Sequence, residues 1–132
     1  METKKNIVVV DDNEDIVAIV KMILDGKGYD TDGAKSGREL FHLLEDKKPD
    51  LIILDIMMPQ KNGLEVLAQL RDSPTTAKIP VILLTAKRGY NDIVDGYKVG
   101  ADYYITKPFS SSQLINGIKF VLHERRIEQG EG

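Results

Sequence analysis

Leu51-Ile-Ile-Leu-Asp55-Ile-Met-Met-Pro59 decides how the rest of the chain is read. Four apolar residues run without interruption into one aspartate, with Pro49-Asp50 before them and Pro59 after. So short and continuous a run predicts a strand buried on both faces of a parallel sheet. Asp55 then falls at the carboxyl end of a central strand, where open α/β sheets bind their ligands. Alone, a carboxylate there serves a reaction no more often than it caps a loop. The other strand ends decide.

Working outward, the runs on either side have the same character. Asn6-Ile-Val-Val-Val10 is β-branched and predicts the first buried strand, ending in Asp11-Asp12-Asn13-Glu14-Asp15. Ile16, Ile19, Val20, Ile23 and Leu24 then fall on one face of a helix. Asp12 or Asn13 is its expected cap, and Gly26 and Gly28 end it. Tyr29 to Ala34 is a less apolar strand, expected at a sheet edge. Ser36-Gly-Arg-Glu39 is a capping-box pattern that opens a helix with Leu40, Leu43 and Leu44 inward. Beyond Pro59, Asn62-Gly63 predicts a turn, and Leu64, Leu67 and Leu70 mark a third helix. Val81-Ile-Leu-Leu84 is another continuous run, ending at Thr85. Tyr90, Ile93, Val94 and Tyr97 have helical spacing, and Gly100 stops that helix. Asp102-Tyr-Tyr-Ile105 is a fifth strand, ending at Thr106-Lys107-Pro108-Phe109. Ser110 to Gln113 is a second capping box, ahead of a helix carrying Leu114, Ile118, Val121 and Leu122. A polar tail, expected to fray, starts at Arg125.

Strands thus alternate with helices five times. That predicts an α/β fold, (βα)₅, with a parallel sheet and helices on both faces. No linker or repeat divides the chain, so residues 1–132 are expected to form one domain. The 132 residues, 42% hydrophobic and 30% charged, suit one globular core. A net charge of −3 argues against nonspecific binding of nucleic acid. With no cysteine there is neither a thiolate zinc site nor a thiol nucleophile. Met1-Glu-Thr-Lys-Lys5 leads straight into a strand, and no apolar run approaches the ~20 residues of a membrane span. The expectation is a cytoplasmic protein with no membrane partner.

The strand carboxyl ends carry Asp11 and Asp12, Asp55, Thr85 and Lys107. Parallel strands place all of them on one edge of the sheet. Three clustered carboxylates repel one another unless a hard cation joins them. Mg²⁺ suits such oxygen ligands. A hydroxyl and an ammonium beside a metal suit a phosphoryl group. Taken singly, Asp11-Asp12 is a helix cap, Thr85 a strand terminus and Lys107 a solvated loop lysine. The matched set outweighs those readings. His42 and His123 are expected on helix surfaces.

Asp11-Asp12, Asp55 with Pro59 and Gly63, Thr85-Ala86, and Lys107-Pro108-Phe109 resemble the receiver domain of two-component response regulators, the CheY-like fold. The resemblance covers residues ~5 to 123 and implies a doubly wound sheet of order 2-1-3-4-5. It implies that Asp55 is the phosphoacceptor, taking a phosphoryl group from a histidine kinase or phosphotransfer protein. It implies Mg²⁺ held by Asp12, Asp55 and the Met57 carbonyl, with Asp11 holding a coordinating water. Lys107 would pair with Asp55 and then with a phosphoryl oxygen, while Thr85 moves to another. Tyr104 would swing inward as Thr85 moves. The Lys107-Pro108 bond is cis in the family, which X-Pro bonds tolerate. Tyr103 and Tyr104 alternate across their strand, so one is expected to face in and the other out. Activation would be a shift between two states, passed on through the fourth helix, fifth strand and fifth helix.

Positions 57 and 87, two after Asp55 and Thr85, affect phosphoryl lifetime in this family. Met57 offers no polar atom to orient water, so a long-lived phosphoryl group is expected. Winged-helix regulators of the family dimerise through charges on the fourth helix, fifth strand and fifth helix. Here Ile93, Lys98, Val99, Gln113, Gly117 and Glu124 depart from that pattern, though Asp102 remains. The expectation is a stand-alone or differently fused receiver, monomeric or weakly dimeric, acting on a protein target without contacting nucleic acid itself. Gly117 is expected to cost ~1 kcal/mol in its helix and to admit a partner helix. The alternative is a metal-dependent phosphohydrolase with an aspartyl nucleophile, but that chemistry wants an acid at position 57. A flavin carrier shares the topology, but Asp11 to Asp15 would repel its phosphate.

Overall fold

The computed structural model describes residues 4–59 and 62–128, with 124–128 as backbone only. In chain order the elements are β1 (Asn6–Val10), α1 (Glu14–Asp25), β2 (Asp30–Ala34), α2 (Gly37–Leu44) and β3 (Leu51–Leu54), then α3 (Gly63–Asp72), β4 (Val81–Thr85), α4 (Tyr90–Val99), β5 (Tyr103–Thr106) and α5 (Ser111–Glu128). All strand pairs are parallel, in the order β2-β1-β3-β4-β5. The order reverses direction between β1 and β3. Connections therefore diverge there, and a crevice opens at the carboxyl ends of those two strands.

The alternation of strand side chains divides the core in two. Ile7, Val9, Leu51, Ile53, Ile82 and Leu84 face α1 and α5, where they meet Val20, Leu24, Leu114 and Ile118. Val8, Val10, Ile52, Leu54, Val81 and Leu83 face the other way, against Leu40, Val66, Leu67 and Leu70. Residues 51–54 are at most 1% exposed, as a strand covered on both sides requires. β2 lies at an edge and is the more polar strand, as expected.

Local signals fix the helix starts. The Asn13 side chain accepts the N–H groups of Asp15 and Ile16 at the start of α1. Ser36 Oγ accepts the Glu39 N–H, while the Glu39 carboxylate reaches the N–H of Lys35, one residue earlier than a strict capping box. At α5 the box is reciprocal: Gln113 N–H donates to Ser110 Oγ, and Ser110 N–H to Gln113 Oε1. Asn62 is the cap of α3 and Gly63 its first residue, so that pair begins a helix as well as making a turn.

α4 forms where its spacing predicts and ends at Gly100, with Tyr90 and Tyr97 exposed and only Gly96 buried. The structure corrects two expectations. Neither tyrosine of β5 faces out. Tyr103 packs on the α1/α5 side and Tyr104 on the α2/α3 side, because helices cover both faces of the sheet. Gly117 admits no partner helix: a Cβ there would lie 3.0 Å from the Tyr103 ring and 3.1 Å from Ile105. α5 runs on through Glu128 into the expected tail. The Glu124 side chain and residues 129–132 lie outside the described residues.

Candidate functional site

The sheet ladder carries each site residue just past a strand end. Asp11 N–H donates to Ala34 O at 3.0 Å, Asp55 N–H to Val10 O at 3.0 Å, and Lys107 N–H to Thr85 O at 2.9 Å. Residues separated by up to 96 positions thereby meet on one edge. Asp11, Asp12 and Asp55 each offer a carboxylate oxygen within 4.8 Å of the others. Asp11 and Asp55 are 2% and 5% exposed, while Asp12 is open to solvent. Lys107 Nζ donates to Asp11 Oδ2 at 2.7 Å and to Asp55 Oδ2 at 3.0 Å. The pairing expected with Asp55 is thus shared with Asp11. The Lys107-Pro108 peptide is cis.

The second carboxylate oxygens are held by backbone. Asn13 N–H donates to Asp11 Oδ1 and Met57 N–H to Asp55 Oδ1, both at 2.9 Å. Each carboxylate is therefore oriented by one amide and one ammonium. Burial raises the Asp11 pKa most; the bonds from Lys107 and Asn13 oppose it, and the Asp55 charge adds to it, leaving the carboxyl above its ordinary range. Burial alone would lower the Lys107 pKa, but its bonds to Asp11 and Asp55 outweigh that and raise it. The set of buried anions held by one cation, beside an exposed aspartate, is chemically suited to a hard divalent cation.

Gly63 makes the loop around Asp55 possible. A Cβ on it would lie 2.2 Å from the Asp55 carbonyl oxygen and 2.6 Å from Ile56 Cα. Its N–H donates to Ile56 O at 2.8 Å, so α3 starts directly against the backbone that carries Asp55. The Asn-Gly pair ahead of a leucine-periodic run signals this in the sequence. Met57 is 50% exposed and, with Lys87 and Asn62, lines a shallow cavity beside Asp55.

Thr85 is fully buried, and its Oγ1 accepts the Lys87 N–H at 3.3 Å. The Lys87 carbonyl accepts the Tyr104 hydroxyl at 2.7 Å. The backbone of Lys87 thus joins the two residues expected to switch, a role that no motif indicates because any residue supplies those groups. Burial, with lesser contributions from Asp92 and Asp55, pushes the Tyr104 phenol up to about 12.

Asp102 is engaged within the chain. Its Oδ2 accepts Arg71 Nη2 at 3.0 Å and Val81 N–H at 2.8 Å. Arg71 also donates to the carbonyls of Gly100, Ala77 and Ile79. The end of α3, the loop before β4, the end of α4 and the start of β5 are tied at one guanidinium.

The family model of the response regulator receiver domain matches residues 7–119. The chain is 42% identical over 123 residues to the alkaline phosphatase synthesis transcriptional regulatory protein PhoP of Bacillus subtilis, covering 93% of this chain and 50% of that protein. It is 39% identical over 127 residues to the phosphate regulon transcriptional regulatory protein PhoB of Pseudomonas aeruginosa, covering 96% of this chain and 55% of that protein. It therefore spans about half the length of these relatives. A CheY-like receiver domain protein from Methanospirillum hungatei superposes with a TM-score of 0.88 at 29% identity, covering 96% of this chain and 99% of the other. Shared fold, matched model and extended identity agree: the chain belongs to the response regulator receiver domain family.

Proposed function

We propose that the chain is a phosphorylation-activated switch whose phosphoacceptor is Asp55. The observation that carries this is the single ammonium of Lys107 bonded to two buried carboxylates, Asp11 and Asp55, with Asp12 beside them. The fold holds two anions in a place that costs stability unless a cation or a reacting group uses them.

An aspartate is a weak nucleophile and its target is anionic, so charge between them must be neutralised. Asp11, Asp12, Asp55 and the Met57 carbonyl would hold Mg²⁺, which when bound supplies that neutralisation. Asp55 attacks the phosphoryl group of a phosphohistidine on a histidine kinase or phosphotransfer protein. The P–N bond breaks as the P–O bond forms, giving an acyl phosphate. Met57 N–H and Lys107 Nζ, one on each oxygen of Asp55, orient the carboxylate for this attack. The donor approaches along the groove of Ile16, Ile19, Ile23, Pro108 and Phe109, which opens beside Lys107. Lys107 then holds one phosphoryl oxygen, and Thr85 leaves the Lys87 N–H to hold another. The domain catalyses its own phosphoryl transfer and slow loss of the group; it is a switch and not an enzyme acting on a separate substrate.

The output passes through the face formed by α4, β5 and α5 to a cytoplasmic protein target, the domain itself contacting no nucleic acid or membrane. No helix among the described residues is long and apolar enough to cross a membrane. Asp102 is committed to Arg71, so the acid retained from the dimerisation pattern is held in-chain, which favours a monomer or weak dimer. The test is incubation of wild type and Asp55→Asn with acetyl phosphate and Mg²⁺, read by intact mass. Phosphorylation of the wild type alone is expected. No gain in mass, or an equal gain in both, overturns the assignment.

A further inference from the structure

Gly96 is the one buried position of α4, and it lacks a side chain. A Cβ there would lie 2.8 Å from Leu83 Cδ1 and 3.2 Å from both Cδ2 and Cε2 of Tyr104. The Tyr104 ring therefore rests against bare helix backbone. Its hydroxyl is fixed to the Lys87 carbonyl, and the Lys87 N–H is fixed to Thr85. The far end of α4 is anchored through Arg71 to the Gly100 carbonyl, so the helix cannot yield freely at that end.

We propose that Gly96 is a positioning residue of the switch, its missing side chain forming the seat that lets the Tyr104 ring reach the Lys87 carbonyl. Ring position and α4 position are then set together. Filling the seat presses on Leu83 and on the ring together, so it forces the ring out or lifts α4, and either breaks the Tyr104–Lys87 bond. This rests on the phosphoacceptor reading, in which Thr85 leaves the Lys87 N–H for a phosphoryl oxygen on Asp55. Coupling is reciprocal: what unseats Tyr104 must weaken the binding of a phosphoryl-like anion at Asp55.

Gly117 supplies the control. It touches the Tyr103 ring on the opposite side of the sheet, about as tightly, and among the described residues no hydrogen bond joins Tyr103 to Thr85 or Lys87. Beryllofluoride with Mg²⁺ is titrated against the full chain, and binding is followed by amide NMR shifts in wild type, Gly96→Ala, Gly117→Ala, Tyr104→Ala, Gly96→Ala/Tyr104→Ala and Asp55→Asn. Gly96→Ala is expected to weaken binding at least about fivefold. Gly117→Ala should leave it near wild type, and Gly96→Ala should have a smaller effect once Tyr104 is alanine, what remains coming from the contact of the new Cβ with Leu83 Cδ1. Wild-type affinity in Gly96→Ala, equal weakening in Gly117→Ala, or an undiminished effect without Tyr104 overturns the seat alone. Absence of Asp55-dependent binding in wild type overturns the phosphoacceptor reading and the seat with it.

Thermal melts of the unliganded variants give a second measure. Alanine is the better helix former, but its Cβ meets Leu83 as well as Tyr104, so the Gly96→Ala change should lower Tm less without Tyr104 than with it, and an equal loss in both backgrounds overturns the seat. If Gly96→Ala alone unfolds the chain, recovery in the double variant supports the seat, and no recovery overturns it.

Discussion

Lys107→Met tests whether the site is held together by charge. The substitution keeps the aliphatic stem and removes one ammonium with two hydrogen bonds, 2.7 Å to Asp11 and 3.0 Å to Asp55. Two carboxylates then remain buried with no cation between them. At the 4.8 Å limit of their separation, an effective dielectric of about 20 gives a repulsion of about 332/(20 × 4.8), or ~3.5 kcal/mol. Breaking a buried ion pair by removing one partner costs about 3–5 kcal/mol. The lysine side chain is 18% exposed, so water screens part of this, and the lower end, ~3 kcal/mol, is expected. For a chain of 132 residues that is a fall in Tm of about 10 °C.

The assay is thermal unfolding followed by circular dichroism, in EDTA and in millimolar Mg²⁺. In EDTA the full deficit should appear at neutral pH. Mg²⁺ should raise the Tm of the variant more than that of wild type, since a bound cation stabilises the native state in proportion to its affinity. Lowering the pH should also narrow the gap. Asp11 already has a raised folded pKa, and losing the Lys107 bond raises it further. A carboxyl whose folded pKa is raised gives stability that is present below its unfolded value and lost as pH rises through the folded one. The variant should therefore approach wild type as pH falls. A deficit equal in EDTA and Mg²⁺, and constant with pH, would mean that lost packing is responsible and would refute the electrostatic account.

Four further outcomes follow from the same geometry. Gly63→Ala should destabilise the chain by more than ~3 kcal/mol, because its Cβ meets backbone that cannot move away, and chemical denaturation measures it. Arg71→Met should cost ~2–4 kcal/mol by leaving Asp102 and three loop carbonyls short of a donor, with hydrogen exchange rising first around Gly100 and Val81. The phosphoryl group of the wild type should be long-lived, which a half-life of seconds without a phosphatase would sink, and Met57→Asn should shorten that half-life by placing an amide beside Asp55. Asp32 has its pKa lowered by the hydrogen bonds from Lys47 and then Asn6, so it contributes stability above its ordinary 3.8 that is lost as pH falls through the folded value. Asp32→Asn should accordingly lower Tm at neutral pH, and acid titration of the two melts should bring them together.

What the sequence revealed follows from which interactions are local. Continuous apolar runs such as Leu51–Leu54 reveal a doubly covered strand because every side chain on them is buried. Asn13, Ser36 and Ser110 mark helix starts because a cap is made within four residues. The site residues could be found because parallel strands send all their carboxyl ends to one edge. The bonds that cross the fold were hidden. That Lys107 serves Asp11 as well as Asp55 depends on side-chain reach across β1 and β3. That Asp102 belongs to Arg71 depends on where α3 ends against β4. The tyrosine pair was misjudged for a simple reason: alternation gives opposite faces, but not whether the second face is covered. The spacing of α4 shows that it is a helix but not how it sits, because its buried position against the sheet is a glycine, which a hydrophobic pattern ignores.

The site and the relay meet at different kinds of bond. Asp11, Asp55 and Lys107 interact through full charges in a buried place, where the energies are large and a change of charge is felt strongly. Thr85 and Tyr104 hold Lys87 through neutral hydrogen bonds, each worth only about 1 kcal/mol. On the proposed reading, a phosphoryl group at Asp55 would alter the first set by an amount that exceeds the second. The weak bonds would then be the ones to rearrange, while the sheet, whose central strands are packed on both sides, would stay in place. The burial that raises the Asp11 pKa belongs to the same arrangement: negative charge held at a cost to stability is charge that a bound cation relieves. Strong interactions at the carboxyl edge and weak ones between β4, α4 and β5 together make a rigid frame with one adjustable side.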